Sequence, residues 1–242
     1  MFIKFNSNTK IVIINLYFFI IKLPFSIKSF KSIRKEILNY YEIDKNNLFC
    51  YDKIGILKIK SFYFGFILPK GRQIFWNDRK FLKIYIESQK KQNISSESSR
   101  ILDLKNLKIF IEKNLPDYLN NYQRIIADTH VPISAIHGDL HFKNVIFYKN
   151  KYYLIDLNFL EKKGSYFFDL INYKIFSSKY YNGNWFDIYN RHRTKFYKFV
   201  DKRYLDLFVL WKINNDLMFI DLNDFKIRKF KKNLEFFFEK PI

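Results

Sequence analysis

The run from Ile11 to Ile21, IVIINLYFFII, places the tightest constraint on this chain. It is apolar except for Asn15 and is closed by Lys10 and Lys22. Its eleven residues fall short of the roughly 20 that a membrane-crossing helix needs. No small-residue cleavage site follows; Leu23-Pro24-Phe25 comes instead, so the run is not read as the core of a secretory leader. Its β-branched and aromatic side chains suit a buried strand, and its length suits a bend or two consecutive strands.

The neighbouring segments extend this to a sheet. Met1–Phe5 and Lys10–Leu23 read as strands joined by the turn Asn6-Ser7-Asn8-Thr9. Ser26–Tyr41 has helical spacing, with Ile27, Phe30, Ile33, Ile37 and Tyr40/Tyr41 on one face. Leu48–Tyr51, Ile54–Ile59 and Phe62–Leu68 read as short strands with breaks near Gly55 and Gly65. Pro69-Lys70-Gly71 is a turn and the expected boundary between a sheet lobe, 1–70, and a helical lobe, 71–242. Beyond it, helices are expected over Ile74–Gln89, Leu102–Lys113, Asp117–Thr129, Asp169–Ser177, Trp185–Val200, Tyr204–Phe219 and Asp224–Glu239. Lys90–Arg100 reads as a polar loop, and Val131-Pro132 stops a helix. One hairpin is embedded among the helices, with Val145–Tyr148 and Tyr152–Leu157 joined by Lys149-Asn150-Lys151. The fold class is therefore α+β, a small antiparallel sheet followed by a mostly helical lobe that carries a hairpin.

Composition narrows the function. Six glycines leave no room for a Walker-type phosphate loop or a dinucleotide fingerprint. A single cysteine, Cys50, excludes an internal disulfide and a cysteine-built zinc site, and it reads as a small buried apolar group. The net charge of +20 draws the chain toward polyanions. The positives are spread along the chain, and the densest cluster is Lys226-Ile227-Arg228-Lys229-Phe230-Lys231-Lys232. That pattern fits a solvated basic surface and peripheral contact with an anionic membrane better than dedicated nucleic-acid binding. The aromatic residues fall mostly at strand or helix spacing, where they pack the core rather than stack on bases.

Side chains able to do chemistry concentrate between His137 and Asp169. His137, Asp139 and Asn144 precede the hairpin and Asp156 follows its return strand, so the hairpin brings Asn144 and Asp156 side by side. An amide oxygen and a carboxylate are suitable donors for Mg²⁺, which keeps several of its waters. Asp139 can accept the proton of a hydroxyl that attacks a phosphoryl group.

The pattern His137-Gly138-Asp139-Leu140-His141-x-x-Asn144 followed by Ile155-Asp156 resembles the catalytic and metal loops of the aminoglycoside phosphotransferase/choline kinase family. That family lies in the protein-kinase-like superfamily and includes kinases of lipopolysaccharide and other envelope sugars. The resemblance covers about Ala135 to Tyr173 and implies a bilobal fold with ATP between the lobes. It also implies Asp139 as the catalytic base, Asn144 and Asp156 as Mg²⁺ ligands, and His137 as a brace of the loop. Asp169, in Phe168-Asp169-Leu170, matches the family's later aspartate that supports the catalytic loop. By the same resemblance Lys22 would hold the donor phosphates and Glu36, on the next helix, would pair with it.

Departures from the family pattern are visible. No glycine precedes Gly55, so a glycine-rich phosphate-covering loop is absent. Asn6-Ser7-Asn8-Thr9 stands where backbone amides could take its place, and the hinge falls near Phe66–Lys70. Asp156 is followed by Leu157-Asn158 rather than Phe-Gly, which points away from protein kinases. His141 and Glu161 are secondary candidates near the site. Tyr166, Phe167 and Phe168 read as packing. Trp185, Asp187, His192 and Arg193 lie where the family's acceptor site is often lined.

The expected activity is ATP- and Mg²⁺-dependent phosphate transfer to a hydroxyl of a small molecule. A sugar of lipopolysaccharide or another surface polysaccharide suits the positive chain better than a cationic aminoglycoside; a choline-type alcohol is the other acceptor class. The expected location is cytoplasmic, at the inner face of the membrane. Two readings of another kind compete with it. They are a catalytically silent module that retains the fold, favoured by the missing glycines, and a basic RNA-binding protein.

Overall fold

A computed structural model describes residues 2–6, 10–16, 19–46, 55–59, 62–75, 78–91, 95–98, 102–177, 184–196, 198, 200–219 and 224–239. The expected strand Leu48–Tyr51, Cys50, and Ser7-Asn8-Thr9 lie outside these residues. The chain forms two compact units, one of Met1–Ile94 with Ala135–Lys162, the other of Ser95–Ser134 with Lys163–Ile242.

The first unit is built on an antiparallel sheet of β1 (Phe2–Asn6), β2 (Ile11–Asn15), β3 (Phe19–Pro24), β4 (Gly55–Ile59) and β5 (Phe62–Pro69), in the order β1-β2-β3-β5-β4. The apolar run Ile11–Ile21 thus divides into two consecutive strands, paired so that Ile13 faces Lys22 and Ile14 faces Ile21. β5 runs through Gly65 without the expected break. A Cβ at Gly65 would come within 2.7 Å of the Lys22 carbonyl oxygen and of Leu23 Cδ2, so glycine allows β5 to approach β3 closely. Lys22 then pairs in register with Phe66.

Helix α1 (Ile27–Asn46) begins with reciprocal capping. Ser29 N–H donates to Ser26 Oγ at 3.2 Å, and Ser26 N–H to Ser29 Oγ at 2.9 Å. Its buried face, Ile33, Ile37, Tyr40 and Ile43, packs on the sheet, with the Tyr40 ring edge-on to Phe66 at 5.6 Å; Ile27 and Tyr41, expected on that face, are exposed. Helix α2 (Arg79–Lys91) starts five residues later than its periodicity suggests, because Asp78 caps it by accepting the Phe81 N–H at 2.9 Å. A short strand β6 (Arg72–Gln73), not expected from the sequence, joins the hairpin sheet.

The second unit contains β7 (Ser95–Ser98), found inside the expected loop, paired antiparallel with β8 (His130–Ile136), where only a helix stop was expected. Helices α3 (Lys105–Asn114) and α4 (Leu119–Asp128) follow the expected pattern with shorter starts. The reason for α3 is non-local. Asn214, 1% exposed, accepts the Leu107 N–H at 3.0 Å and donates to the Asp103 carbonyl at 2.9 Å, which fixes where the helix begins.

The embedded hairpin, β9 (Val145–Tyr148) and β10 (Lys151–Leu154), turns on Lys149 and Asn150, both at positive φ (45° and 62°). That is the geometry a two-residue hairpin loop demands. A further strand, β11 (Glu161–Gly164), follows, and the remaining helices are α5 (Tyr166–Phe176), α6 (Trp185–Phe196), α7 (Lys202–Phe219) and α8 (Asp224–Glu239). Phe168 of α5 stacks on Trp211 of α7 at 5.0 Å in the core of the second unit. Among the described residues no helix is long and apolar enough to cross a membrane. The architecture is the expected α+β, an N-terminal antiparallel sheet followed by a mostly helical region with one hairpin.

Candidate active site

The segment His137–Asn144 leaves β8 and enters β9 through a 3₁₀ turn, Phe142–Asn144. Fully buried Leu140 anchors its middle to the core. His137, with no exposed surface, is hydrogen-bonded on both ring nitrogens. The Asp139 N–H donates to Nδ1 at 3.3 Å, which places the ring proton on Nε2, and Nε2 donates to the Ile155 carbonyl at 2.9 Å. One imidazole therefore ties the backbone of Asp139 to the residue before Asp156. Gly138 sits at φ +79°, and a Cβ there would overlap the Phe159 carbonyl oxygen. Both the dihedral and the space require glycine.

Asn144 is held against the same loop. Its Nδ2 donates to the Asp139 carbonyl at 3.0 Å and approaches Asp139 Oδ2 at 3.4 Å. The amide oxygen is left as an acceptor among the described residues. The Ile155 N–H donates to the Asn144 carbonyl at 2.9 Å, so the hairpin brings Asn144 beside the Ile155-Asp156 step. His141 Nε2 lies 3.7 Å from Asp139 Oδ2.

The return strand stops at Leu154, not at the expected Leu157, because Asp156 takes a left-handed conformation (φ 63°, ψ 57°) before a 3₁₀ turn, Leu157–Phe159. The Asn158 Nδ2 donates to Asp156 Oδ1 at 2.8 Å, and Asn158 Oδ1 accepts from Ser32 Oγ of α1 at 3.1 Å. Asn39 Nδ2, also on α1, donates to the Leu157 carbonyl at 2.6 Å. Ser32, Glu36 and Asn39 stand at i, i+4 and i+7, so one polar stripe of α1 faces the Asp156 turn.

Glu36 in the middle of that stripe pairs with Lys22 of β3. Nζ and Oε1 are 3.3 Å apart, with side-chain exposures of 14% for Lys22 and 0% for Glu36. Lys22 Nζ also lies 5.3 Å from the Phe66 ring centroid. Burial works against the Lys22 ammonium, but the charges of Glu36 and then Asp156 outweigh it and raise its pKa above that of a free lysine. For Glu36 burial is the largest influence and pushes the pKa up; Lys22 pulls it down, and the charge of Asp156 adds to the rise. The charge of Asp156 therefore reaches both members of the Lys22–Glu36 pair.

Six of the seven residues expected at the site, Lys22, Glu36, His137, Asp139, Asn144 and Asp156, lie in the first unit and are linked by these contacts. Asp169 lies in the second unit, fully buried in the first turn of α5. Of the secondary candidates, Trp185 donates its Nε1–H to Asp216 Oδ2 at 2.8 Å, and Phe168 is core. Glu161 is half-buried. The sequence reading missed Ser32, Asn39 and Asn158. The signal available for the first two was polar residues at helical spacing with Glu36, and for Asn158 a side-chain amide two residues after a metal-type carboxylate.

The donor set fits a hard divalent cation: the Asn144 amide oxygen and the Asp156 carboxylate, all oxygen, beside a carboxylate at Asp139. Among the described residues no group of three or more His, Cys, Asp or Glu side chains converges as a metal site.

No family model and no curated protein sequence matches the chain. Solved structures do match over nearly its whole length. An ADP-bound aminoglycoside phosphotransferase, APH(2'')-Ib, superposes with TM-score 0.60 at 14% identity, over 99% of this chain and 94% of that one. The streptomycin–ATP ternary complex of APH(2")-IIa gives 0.56 at 14% identity, over 97% and 91%. Choline kinase LicA from Streptococcus pneumoniae gives 0.53 at 12% identity, over 97% and 92%. The chain has the bilobal, protein-kinase-like fold of the aminoglycoside phosphotransferases and choline kinases.

Proposed function

We propose that the chain is an ATP- and Mg²⁺-dependent phosphotransferase acting on a hydroxyl group of a small molecule. The observation that carries this reading is the linkage, within one unit, of a buried lysine–glutamate pair to Asp156, and of Asp156 through Ile155 and His137 to Asp139 and Asn144. Solved structures of the same fold that hold ADP and ATP support the choice of nucleotide.

The roles follow from the chemistry of each group. Glu36 fixes the Lys22 ammonium, whose raised pKa keeps it charged, for donor phosphate oxygens. Asn144 Oδ1 and the Asp156 carboxylate are the protein ligands for Mg²⁺, which when bound neutralises charge on the donor phosphates. Asp139 orients the acceptor hydroxyl and takes its proton as the new O–P bond forms. The bond from the terminal phosphorus to the bridging oxygen breaks, and ADP leaves. Positioning and charge neutralisation suffice for in-line transfer, with no covalent enzyme intermediate.

For the acceptor we favour a sugar of lipopolysaccharide or another surface polysaccharide. The net charge of +20 suits an anionic, phosphorylated or acidic acceptor and opposes a cationic one. Such an acceptor would place the enzyme in the cytoplasm, at the inner face of the membrane. The test is incubation of the purified protein with ATP, Mg²⁺ and an acceptor panel of envelope sugars, aminoglycosides and choline, read by mass spectrometry. A phosphate-sized gain on a sugar that disappears with Asp139→Asn supports the reading. A gain on choline or an aminoglycoside alone keeps the kinase and overturns the acceptor. No transfer to any acceptor despite Mg²⁺-dependent ATP binding overturns the enzyme in favour of a silent module.

A further inference from the structure

We infer that the outer face of α1, with the turn leading into it, is a docking surface for an anionic lipid bilayer. Three of the other surface helices neutralise lysines with a glutamate one turn on: Lys83–Glu87 on α2 at 4.0 Å, Lys108–Glu112 on α3 at 3.7 Å and Lys231–Glu235 on α8 at 4.0 Å. The outer face of α1 is built differently. Lys28, Lys31 and Arg34 are all exposed, and the residues four positions on are Ser32, Lys35 and Leu38, none of them acidic. The only acid on α1 between Ile27 and Leu38 is Glu36, which is buried against Lys22.

An apolar tip adjoins these cations. Phe25 is 70% exposed and Ile27 79%. The Phe25 ring meets Phe5 of edge strand β1 edge-on at 5.4 Å, and Phe5 is itself 47% exposed. Lys10 Nζ lies 5.8 Å from the Phe5 ring centroid. Ile27, Lys31, Arg34 and Leu38 share one helical stripe, so apolar side chains bracket the basic ones along the exposed face. Aromatic and aliphatic tips bounded by lysines match the interface of an anionic membrane, where the tips enter the acyl boundary and the cations meet lipid phosphates.

The same pattern disfavours other occupants. Ile27 and Leu38 gain nothing from stacking on bases, which RNA binding would use. A second copy across a two-fold axis would set this basic face against another of the same charge. The inference rests on the first unit alone and needs no catalytic turnover.

The test is flotation of the full chain with vesicles of phosphatidylcholine alone and of phosphatidylcholine with an equal part of phosphatidylglycerol. Binding to the anionic vesicles only, weakened by salt, is expected. Lys31→Gln/Arg34→Gln should weaken it by roughly twenty-five-fold, about fivefold for each cation. Phe25→Ser/Ile27→Ser should weaken it about tenfold or more, with thermal melting to confirm the fold. Equal binding by the parent and both variants, or no preference for anionic vesicles, overturns the inference. So does RNA oligonucleotide binding that survives the serine variant and displaces the vesicles. A dimer in light scattering that either variant dissolves also overturns it, because the face is then an interface between copies.

Discussion

The Lys22–Glu36 pair makes an asymmetric prediction. Lys22→Met leaves Glu36, which has no exposed surface, without its cation and within reach of the charge of Asp156. Glu36→Gln leaves Lys22 slightly exposed and still attracted by Asp156. Removing one member of a buried pair costs about 3–5 kcal/mol when the survivor is uncompensated. Lys22→Met should fall in that range. Glu36→Gln should cost only about 1–2 kcal/mol, because a second carboxylate remains for the ammonium. The double variant should recover about 2 kcal/mol or more of the Lys22→Met loss, since it leaves no buried charge unpaired. Urea unfolding followed by circular dichroism measures all three. The pH dependence supplies a second signature. In Lys22→Met the folded-state pKa of Glu36 rises further above its unfolded value, so the variant gains stability as pH falls through that pKa. A loss in Glu36→Gln equal to or larger than that in Lys22→Met, or a double variant no better than Lys22→Met, refutes the reasoning.

The other predictions follow from single contacts. Asn158→Ala removes the hydrogen bond to Asp156 Oδ1, worth about 1.5–3 kcal/mol to a charged acceptor. It should raise the Mg²⁺ concentration for half-maximal activity about tenfold or more. Ser32→Ala should do so more weakly, and not at all on top of Asn158→Ala; independent effects in a Mg²⁺ titration would break the proposed link. Gly138→Ala adds a clash with Phe159 to the ~1–2 kcal/mol cost of a left-handed residue. It should abolish phosphate transfer and lower the melting temperature, and activity near the parent level counts against the described loop. Asp206 has its pKa raised to about 6, chiefly by burial. Its folded state therefore binds the proton more tightly than the unfolded one, and stability from this group falls as pH rises from about 4 to 6. Asp206→Asn should be more stable than the parent by about 3 kcal/mol at pH above 7, with the difference nearly gone near pH 4. A difference that does not vary with pH, measured in denaturant titrations, contradicts this.

The local signals in the sequence carried far where chemistry and periodicity agreed. β-branched runs located the sheet, and Lys149-Asn150 located the hairpin that juxtaposes Asn144 with the Asp156 step. The bounds of α8 agree to the residue. The reading failed where the deciding partner is distant. Asn214 sets the start of α3 from more than one hundred residues away. The ladder that makes Ser95–Ser98 a strand is supplied by β8, and a run of serine and glutamate carries no strand signal of its own. Gly65 suggested a break because glycine usually weakens a strand, whereas here it serves close approach to Lys22. At the site, the family resemblance offered His137 as a brace, and the ring's two bonds are visible only in the fold. Asn158 was read only as a departure from another motif, since nothing local shows that it joins α1 to Asp156.

Isothermal titration of ATP into the purified chain, with and without Mg²⁺, tests the central claim most directly. Binding should require Mg²⁺, vanish in Asp156→Ala and weaken sharply in Lys22→Met, with each variant still folded. ATP bound equally well without the metal, or unchanged by Asp156→Ala, would contradict the claim.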